Sequence, residues 1–318
     1  MENMKTILVT GAAGFIGSNL VDRLLKDGHK VVGVDNLSTG NTYNLPEHKR
    51  FKFYKFDLVN TETVNLLFSE NKFDVVMHLA GNASIVNAMT NPTLDVQNNI
   101  ITTMNVVNAC VEHGVTRLLH ASTMVVYGAD NVNKKETDAC VPTSTYGLTK
   151  YAGERYVMNS GARNDLLVPL NVTAFRMFNC YGTKQDLYNP YQGVVAIFVG
   201  NVKNKKSITI HGDGTQTRDF VYIDDVIEAW IKSIDNPNTY NKVFNLGSGK
   251  DYSINYILES ILKRMGANIS VHKETARQGD ISRCVANIDK LKAALDWFPK
   301  ITIEQGLDRF INYAKELE

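Results

Sequence analysis

Residues 6–17 read TILVTGAAGFIG, and this stretch decides the fold because a short apolar run leads directly into three glycines at fixed spacing. Gly11 permits a tight turn, Gly14 lets the backbone approach a pyrophosphate, and Gly17 lets the following helix pack against the strand. Residues 18–26 continue as that helix, and the free N–H groups at its start can bind an anion. The stretch therefore predicts a strand, a glycine turn and a helix that together bind a dinucleotide.

The second predicted strand, residues 31–35, reads VVGVD and ends on Asp35, 18 residues past Gly17. A carboxylate in this place can accept hydrogen bonds from both ribose hydroxyls of an adenosine, and its charge repels a 2′-phosphate. We therefore predict NAD rather than NADP as the cofactor.

Strands and helices continue to alternate beyond this unit. Further strands are predicted over residues 51–56, 73–79, 116–121 and 171–177, and helices over 61–70, 93–113 and 146–158. Alternation at this spacing predicts an α/β fold, a doubly wound parallel Rossmann sheet with its site along the carboxyl edge of the strands.

Several residues follow these strands at the predicted site edge. Asp57 comes after the third strand, where it could contact adenine, and the small residues Ala80 and Gly81 come after the fourth, where backbone can pass close to a cofactor. The fifth strand delivers Ser122 and Thr123 to the same edge.

The alternation loosens after about residue 182. A helix is predicted over 194–202, a strand over 208–211 and a helix over 253–265, with turns and polar loops between them. We expect residues 1–182 to form an NAD-binding Rossmann domain and residues 183–318 a smaller C-terminal substrate-binding lobe, with segments exchanged between the two.

Composition narrows the class of protein. Apolar residues make up 44% of the 318 residues and charged residues 21%, which is typical of a soluble globular chain. The formal charge of +1 gives no sign of a nucleic acid or membrane partner. Four scattered cysteines predict neither disulfides nor a metal site, and no signal-like or membrane-spanning apolar run is present, so we expect a cytoplasmic protein.

A Tyr-x-x-x-Lys pair, Tyr146 and Lys150, lies in the helix predicted over 146–158. An i,i+4 spacing places both side chains one turn apart, where the ammonium can lower the phenol pKa and the Thr123 hydroxyl can complete a proton-transfer set. Such a pair can equally lie on an ordinary helix surface, and Lys150, Glu154 and Arg155 read as its exposed positions. The predicted dinucleotide unit favours the catalytic interpretation.

Motifs along nearly the whole chain match those of a known protein family. The matching pieces are residues 10–17, 35–40, 78–80, 176–179, 212–225, 245–247 and 277–280, with Tyr146 and Lys150. With these motifs the chain resembles the extended short-chain dehydrogenases/reductases, and among them the nucleotide-sugar 4-epimerases of the UDP-glucose 4-epimerase type.

The resemblance implies an NAD site and a reaction. The residues expected around NAD are Gly11, Gly14, Phe15, Ile16, Asp35, Asn36, Ser38, Thr39, Gly40, Asp57, Leu58, Leu79, Ala80, Gly81, Asn99, Tyr146 and Lys150. In the family reaction the Tyr146 phenolate takes the proton from the sugar O4 while the C4 hydride passes to NAD. The 4-keto sugar then turns over and takes the hydride back, with Thr123 relaying the proton and NAD held tightly throughout.

The resemblance also implies a UDP-sugar site. Arg218 and Arg277 are expected on the diphosphate, Asp280 on the nucleotide ribose and His211 against the uracil; the remaining substrate contacts are expected from Ser84, Ser122, Thr123, Asn179 and Cys284. Guanidinium groups suit a diphosphate because they donate in pairs. A solvated surface charge is the alternative interpretation of the arginines, and an ordinary surface imidazole that of His211.

Two positions bear on which reaction is expected and on which sugar is expected as the substrate. Relatives that dehydrate or decarboxylate a sugar keep an acidic residue just after the active threonine, whereas this chain has Met124 and Val125. Neither residue can ionise, which favours epimerisation. Cys284 lies where epimerases restricted to plain hexoses often carry tyrosine, so its small thiol leaves room for an N-acetyl group; a small buried core residue is the alternative.

We therefore predict a UDP-glucose 4-epimerase that interconverts UDP-glucose and UDP-galactose; use of the N-acetylated sugars depends on which interpretation of Cys284 holds. The enzymatic alternatives are an epimerase of UDP-glucuronate or of a CDP-sugar and a ketosugar reductase, and the non-enzymatic one is an NAD-sensing scaffold. By analogy with relatives, the helices over 93–113 and 146–160 are expected to form a homodimer contact.

Overall fold

The computed structural model describes residues 4–129, 131–189, 192–276 and 281–317. Its strands, numbered in chain order, are β1 (Thr6–Thr10), β2 (Lys30–Asp35), β3 (Phe51–Lys55), β4 (Val75–His78), β5 (Arg117–Thr123), β6 (Asn131–Lys134), β7 (Asn171–Met177), β8 (Asn179–Tyr181), β9 (Ile208–His211), β10 (Thr217–Tyr222), β11 (Lys242–Leu246), β12 (Asp251–Ser253), β13 (Val271–Glu274) and β14 (Cys284–Ala286).

The helices divide between the two halves of the chain. They are α1 (Phe15–Lys26), α2 (Thr61–Glu70), α3 (Ile85–Thr90), α4 (Pro92–Val96), α5 (Thr102–Glu112), α6 (Thr145–Gly161), α7 (Val194–Lys203), α8 (Ile223–Lys232), α9 (Ile254–Met265), α10 (Asp289–Leu295) and α11 (Ile303–Glu316). A π-helical turn, Gln97–Ile101, joins α4 to α5.

Seven parallel strands form the central sheet, in the order β11-β7-β5-β4-β1-β2-β3. Successive side chains of a strand point to opposite faces, and the buried core divides accordingly. Val9 packs with residues of α1 and α8 on one face, whereas Leu8 packs with residues of α2, α5 and α6 on the other. The predicted doubly wound Rossmann sheet is confirmed.

The structure corrects three details of the predicted elements. The sheet has a seventh strand, β11, which the sequence analysis missed because it lies in the less regular second half and pairs at the sheet edge beside β7. The helix predicted over 93–113 contains the π-helical turn between α4 and α5. The fifth strand runs on to Thr123, so Ser122 and Thr123 are held in the sheet by pairing with β7 rather than in a loop.

Segments from both halves of the chain also meet in the smaller sheets. One sheet has the order β12-β10-β8, and β14 pairs with β6 through Cys284 and Asn131. The boundary predicted at residue 182 remains a prediction.

Across the described ranges, no helix combines the length and the apolar character that crossing a membrane requires. The same residues contain no group of three or more His, Cys, Asp or Glu side chains that could hold a metal ion.

A buried arginine ties the sheet to the segment that leads into β11. Arg117 is 3% exposed, and its guanidinium donates to the carbonyl oxygens of Ser233 (2.7 Å) and Ile234 (3.1 Å) and to the hydroxyls of Thr173 (2.8 Å) and Thr239 (3.0 Å). Burial lowers the pKa of Arg117 to about 10, so the group is still charged at neutral pH. Its donors satisfy acceptors that have no access to water.

We expect Arg117→Met to lower the free energy of unfolding by about 3 kcal/mol, because the apolar side chain leaves these buried acceptors without donors. Urea denaturation measures the change. Arg163→Met is the control, since Arg163 is exposed and pairs with Asp165 at 2.7 Å, and it should leave the midpoint unchanged. Equal midpoints for both variants would contradict the structural role assigned to Arg117.

Candidate active site

A cleft of about 650 Å³ runs along the carboxyl edge of the sheet. The first part of the chain lines it with Gly11, Gly14, Phe15, Ile16, Gly17, Asp35, Asn36, Ser38, Thr39, Phe56, Asp57, Leu58, Leu79, Ala80, Gly81, Asn82, Ala83, Ser84, Asn87, Thr90, Asn91, Leu94, Asp95, Asn98 and Thr102. Later segments contribute Ala121, Ser122, Thr123, Tyr146, Lys150, Met177, Phe178, Cys180, Asn189, Gln192 and Gly193.

The glycine turn after β1 leaves no room for side chains. A Cβ atom on Gly17 would lie 2.1 Å from the Gly11 carbonyl oxygen, and one on Gly11, where φ is +67°, would lie 2.9 Å from the Ala80 nitrogen. The helix α1 begins after Gly14 without a side-chain cap, so its first N–H groups remain available at the cleft. A helix start of this kind binds phosphate, and the turn therefore fits a dinucleotide.

Asp35 lies at the end of β2 and lines the cleft. Its oxygens accept hydrogen bonds from the backbone of Leu37 (2.8 Å) and Ala13 (3.0 Å), which leaves further lone pairs free. A Cβ atom on Gly40 would lie 2.8 Å from the carboxylate, so a side chain at this position would collide with Asp35. The remaining lone pairs of the Asp35 carboxylate can accept hydrogen bonds from ribose hydroxyls.

Asn99 is buried next to Gly81, which follows strand β4 and lines the cleft. Its amide donates to Asp95 and to Thr149, both at 3.1 Å, while its Oδ1 atom has no partner among the described residues. A Cβ atom on Gly81 would lie 2.6 Å from that oxygen. An unsatisfied buried acceptor beside a residue that lines the cleft is consistent with a ligand donor there.

Tyr146, Lys150 and Thr123 lie together at the centre of the cleft. The helix α6 places the tyrosine and the lysine one turn apart, as predicted, and Thr123 lies at the end of β5. Ser144 caps the helix by accepting from the Gly147 N–H at 3.1 Å. All three site side chains are buried, and the Lys150 ammonium donates to the Ala121 carbonyl oxygen at 2.6 Å.

The electrostatics of this group differ from the prediction. Burial raises the pKa of Tyr146 to about 12; a hydrogen bond with Thr123 lowers the pKa, and the Asp95 carboxylate raises it. Burial also lowers the pKa of Lys150 to about 8, against the effect of Asp95 and Glu154. The polypeptide alone therefore does not produce the lowered phenol pKa that the spacing predicts, because the loss of hydration outweighs the favourable contacts.

Glu154 and Lys150 were expected on the exposed face of α6, and both are buried. The Glu154 carboxylate forms a two-point ion pair with Arg176, at 2.6 and 3.0 Å, and accepts from the Ser122 hydroxyl at 2.6 Å. Arg176 also donates to the Tyr127 hydroxyl at 2.9 Å. The spacing of four residues from Lys150 places Glu154 on the same face of α6. Its partner, Arg176, lies on β7, so the sequence pattern did not indicate the ion pair.

Most of the predicted cofactor positions line the cleft. The exceptions are Gly40 and Asn99, which contact residues of the lining as described above. Of the predicted substrate residues, Ser84, Ser122 and Thr123 line the cleft.

Four predicted substrate residues lie outside the described lining. Asn179 donates to the Asp219 carbonyl oxygen at 3.2 Å, Arg218 donates to the carbonyl oxygens of Thr217 and Ile281, and His211 lies 3.5 Å from Glu274. Cys284 is fully buried, with its sulfur 3.6 Å from that of Met124.

The predicted residues Arg277 and Asp280 fall outside the described residues. The roles assigned to all six of these positions remain predictions.

Several residues of the lining had no role predicted from the sequence, among them Asn87, Asn91 and Asp95 and, later in the chain, Asn189, Gln192 and Gly193. An Asn-Pro pair, which is typical of a turn, stands in each of these segments, at residues 91–92 and 189–190, but a turn alone does not indicate a cleft.

Comparisons with known proteins agree with this geometry. Residues 7–247 match the sequence model of the NAD dependent epimerase/dehydratase family. The UDP-glucose 4-epimerase of Mycolicibacterium smegmatis is 35% identical over 313 residues, covering 97% of this chain and 98% of the relative. The UDP-glucuronate 4-epimerase of Thermodesulfobacterium geofontis is 35% identical over 321 residues, covering 97% of this chain and 96% of the relative.

Among solved structures, the Thermus thermophilus UDP-glucose 4-epimerase in complex with NAD is 32% identical to this chain, with a TM-score of 0.90. The match covers 98% of this chain and all of the other. The family match, the relatives and a cleft that fits a dinucleotide lead to one conclusion. The chain belongs to the NAD dependent epimerase/dehydratase family, and its cofactor is NAD.

Proposed function

We propose that the chain is a UDP-hexose 4-epimerase that interconverts UDP-glucose and UDP-galactose through a 4-keto sugar. The observation that carries the proposal is the grouping of Tyr146, Thr123 and Lys150 at the centre of the cleft, with Met124 directly after the threonine. NAD bound in the cleft would supply a hydride acceptor and, in its oxidised form, a positive charge.

Tyr146 takes the proton from the sugar O4 and returns it at the end of the cycle. Thr123 hydrogen-bonds to the phenol and holds it towards the sugar. Lys150, fixed by its bond to the Ala121 carbonyl oxygen, contributes a cation on the same side of α6. Burial of all three groups excludes water, which protects the keto sugar while it turns between its two faces.

Epimerisation is favoured over dehydration because no acid follows Thr123. Loss of water or of carbon dioxide needs a group that can remove or deliver a further proton, and the side chains of Met124 and Val125 cannot ionise. Asp35 and Asp57 line the cleft at the other end, and Asp95 is occupied by three donors. The side chains therefore support proton transfer at the sugar O4, and Met124 and Val125 do not provide a second acid or base for proton transfer elsewhere on the sugar.

The proposal extends to the substrate's remaining parts. Arg218 and Arg277 bind the diphosphate, and Asp280 binds the nucleotide ribose. The small thiol of Cys284, buried with its sulfur 3.6 Å from that of Met124, is proposed to leave room for an N-acetyl group. A homodimer and a cytoplasmic location belong to the same proposal.

The protein, purified with bound NAD, should convert UDP-galactose to UDP-glucose without added reductant, because the hydride removed from C4 is returned in each cycle. Chromatography of the products measures the conversion. The same assay with UDP-glucuronate and with UDP-N-acetylglucosamine as substrates identifies the preferred sugar. Conversion that requires stoichiometric NADH would indicate a reductase instead, and no conversion of any nucleotide sugar would remove the proposal.

Tyr146→Phe should lower kcat by roughly 10²–10⁴-fold while NAD stays bound, because the phenol is the proton acceptor and the ring is retained. Tyr156→Phe is the matched control. Tyr156 lies on the same helix, and its hydroxyl contacts Asn108 at 2.6 Å near the surface, so this variant should keep close to the full rate. Steady-state kinetics and the absorbance of released NAD provide the two readouts; a fully active Tyr146→Phe would mean that the base is another residue.

A further inference from the structure

The wall of the cleft contains a carboxylate that the proposed reaction does not use. Asp95 lies on α4, is 1% exposed and lines the cleft. No lysine, arginine or histidine among the described residues forms an ion pair with it, in contrast to Glu154, which is paired with Arg176. A buried carboxylate without a cation is costly and needs hydrogen bonds in compensation.

Three donors from three different segments supply that compensation. The Asp95 Oδ1 atom accepts from the amides of Asn82 (2.6 Å) and Asn99 (3.1 Å), and its Oδ2 atom accepts from the Thr149 hydroxyl at 2.5 Å. The two amides can only donate to Oδ1, and together the three contacts hold the Asp95 carboxyl group in a fixed position.

These contacts connect the substrate side of the cleft to the catalytic helix. Asn82 holds Ser84 through two further hydrogen bonds, each 3.1 Å long, so Asp95 sets the position of the loop that carries Ser84. Thr149 lies between Tyr146 and Lys150 on α6. One carboxylate thus fixes both the loop and the helix.

The charged neighbours of the catalytic pair are few. Asp95 raises the pKa of Tyr146 and opposes the lowering of the Lys150 pKa. Glu154 also faces Lys150, but its charge is offset by Arg176.

The remaining titratable neighbours of Lys150 are two histidines. His78 and His120 have their pKa lowered by burial and, to a lesser extent, by Lys150 itself, so both are neutral near pH 7. Asp95 is therefore the unpaired negative charge that acts on both Tyr146 and Lys150 within the described part of the chain.

We infer that Asp95 is a positioning residue of the proposed epimerase site, which fixes the Asn82–Ser84 loop against α6 and whose charge governs how readily Tyr146 ionises. The inference rests on the proposed function for its kinetic consequence. Its electrostatic consequence concerns the NAD-bound protein and does not depend on the sugar.

Asp95→Asn removes the charge while keeping the hydrogen bonds. The asparagine oxygen can accept from Asn82 and Asn99, and its amide can donate to the Thr149 hydroxyl. That hydroxyl can then turn towards the Tyr146 carbonyl oxygen, which lies 3.1 Å away. Every buried partner therefore stays satisfied, and thermal denaturation checks that the variant folds.

In the NAD-bound protein, Asp95→Asn should shift both limbs of the pH profile of kcat to lower pH by about one unit. The shift is downward because removal of a negative charge makes both the phenol and the ammonium more acidic. A profile that keeps its position while the rate falls would mean that Asp95 has only a structural role.

Asp225→Asn is the matched control. Asp225 is also buried, but it lies on α8 and accepts from the backbone of Lys300 and Ile301, each at 3.0 Å. Its replacement should lower thermal stability and leave the pH profile in place. An equal shift in both variants would overturn the inference.

A second measurement separates this inference from the proposed function. With tyrosine labelled at Cζ with carbon-13, the NMR signal lost in Tyr146→Phe reports the ionisation of Tyr146 in the NAD-bound protein without any substrate. Asp95→Asn should move that titration to lower pH, and Asp95→Ser provides a second neutral variant if the asparagine variant does not fold.

The two outcomes are distinguishable. A titration that moves in a protein that converts no nucleotide sugar would sink the proposed function alone. A titration that does not move in an active epimerase would sink the inference alone.

Discussion

The active site depends on one buried ion pair, between Glu154 on α6 and Arg176 on β7. Removing both charges from water is expensive, and the cost is offset by two short hydrogen bonds between them and by the Ser122 hydroxyl. Because a rotation of α6 would separate the pair, it determines which face of that helix meets the sheet. That face carries Tyr146 and Lys150. The geometry of the site is therefore a property of the interface between a helix and a sheet, which is more rigid than a loop.

The burial that orders the site also makes the tyrosine a weaker acid. The pKa of Tyr146 rises to about 12 and that of Lys150 falls to about 8, both chiefly because the groups lose hydration. The chain thus arranges the phenol and the ammonium without ionising the first. Under the proposed function, charge that arrives with the ligands completes the activation of Tyr146, so catalysis depends on occupancy of the cleft.

Local patterns predicted the first half of the fold and the cofactor end of the cleft, because the glycine turn, Asp35 and the helix carrying Tyr146 and Lys150 are each written in consecutive residues. Properties that arise from distant segments were not predictable. The burial of Glu154 depends on Arg176 in another strand, and the segment that leads into β11 is held by Arg117 and Thr173 in two other strands. The contacts of Asp95 were not predictable because its three partners come from separate segments.

The placement of β11 has a consequence for the order in which the protein is made. β11 pairs with β7, yet residues 178–241 lie between them in the chain. During translation the edge of β7 therefore waits, with its backbone groups unpaired, until this intervening segment has left the ribosome. Six strands can assemble before then, but the sheet closes late and through a contact of long sequence separation, which is slow to form. In the cell, an exposed strand edge of this kind is a natural binding place for a chaperone until synthesis ends.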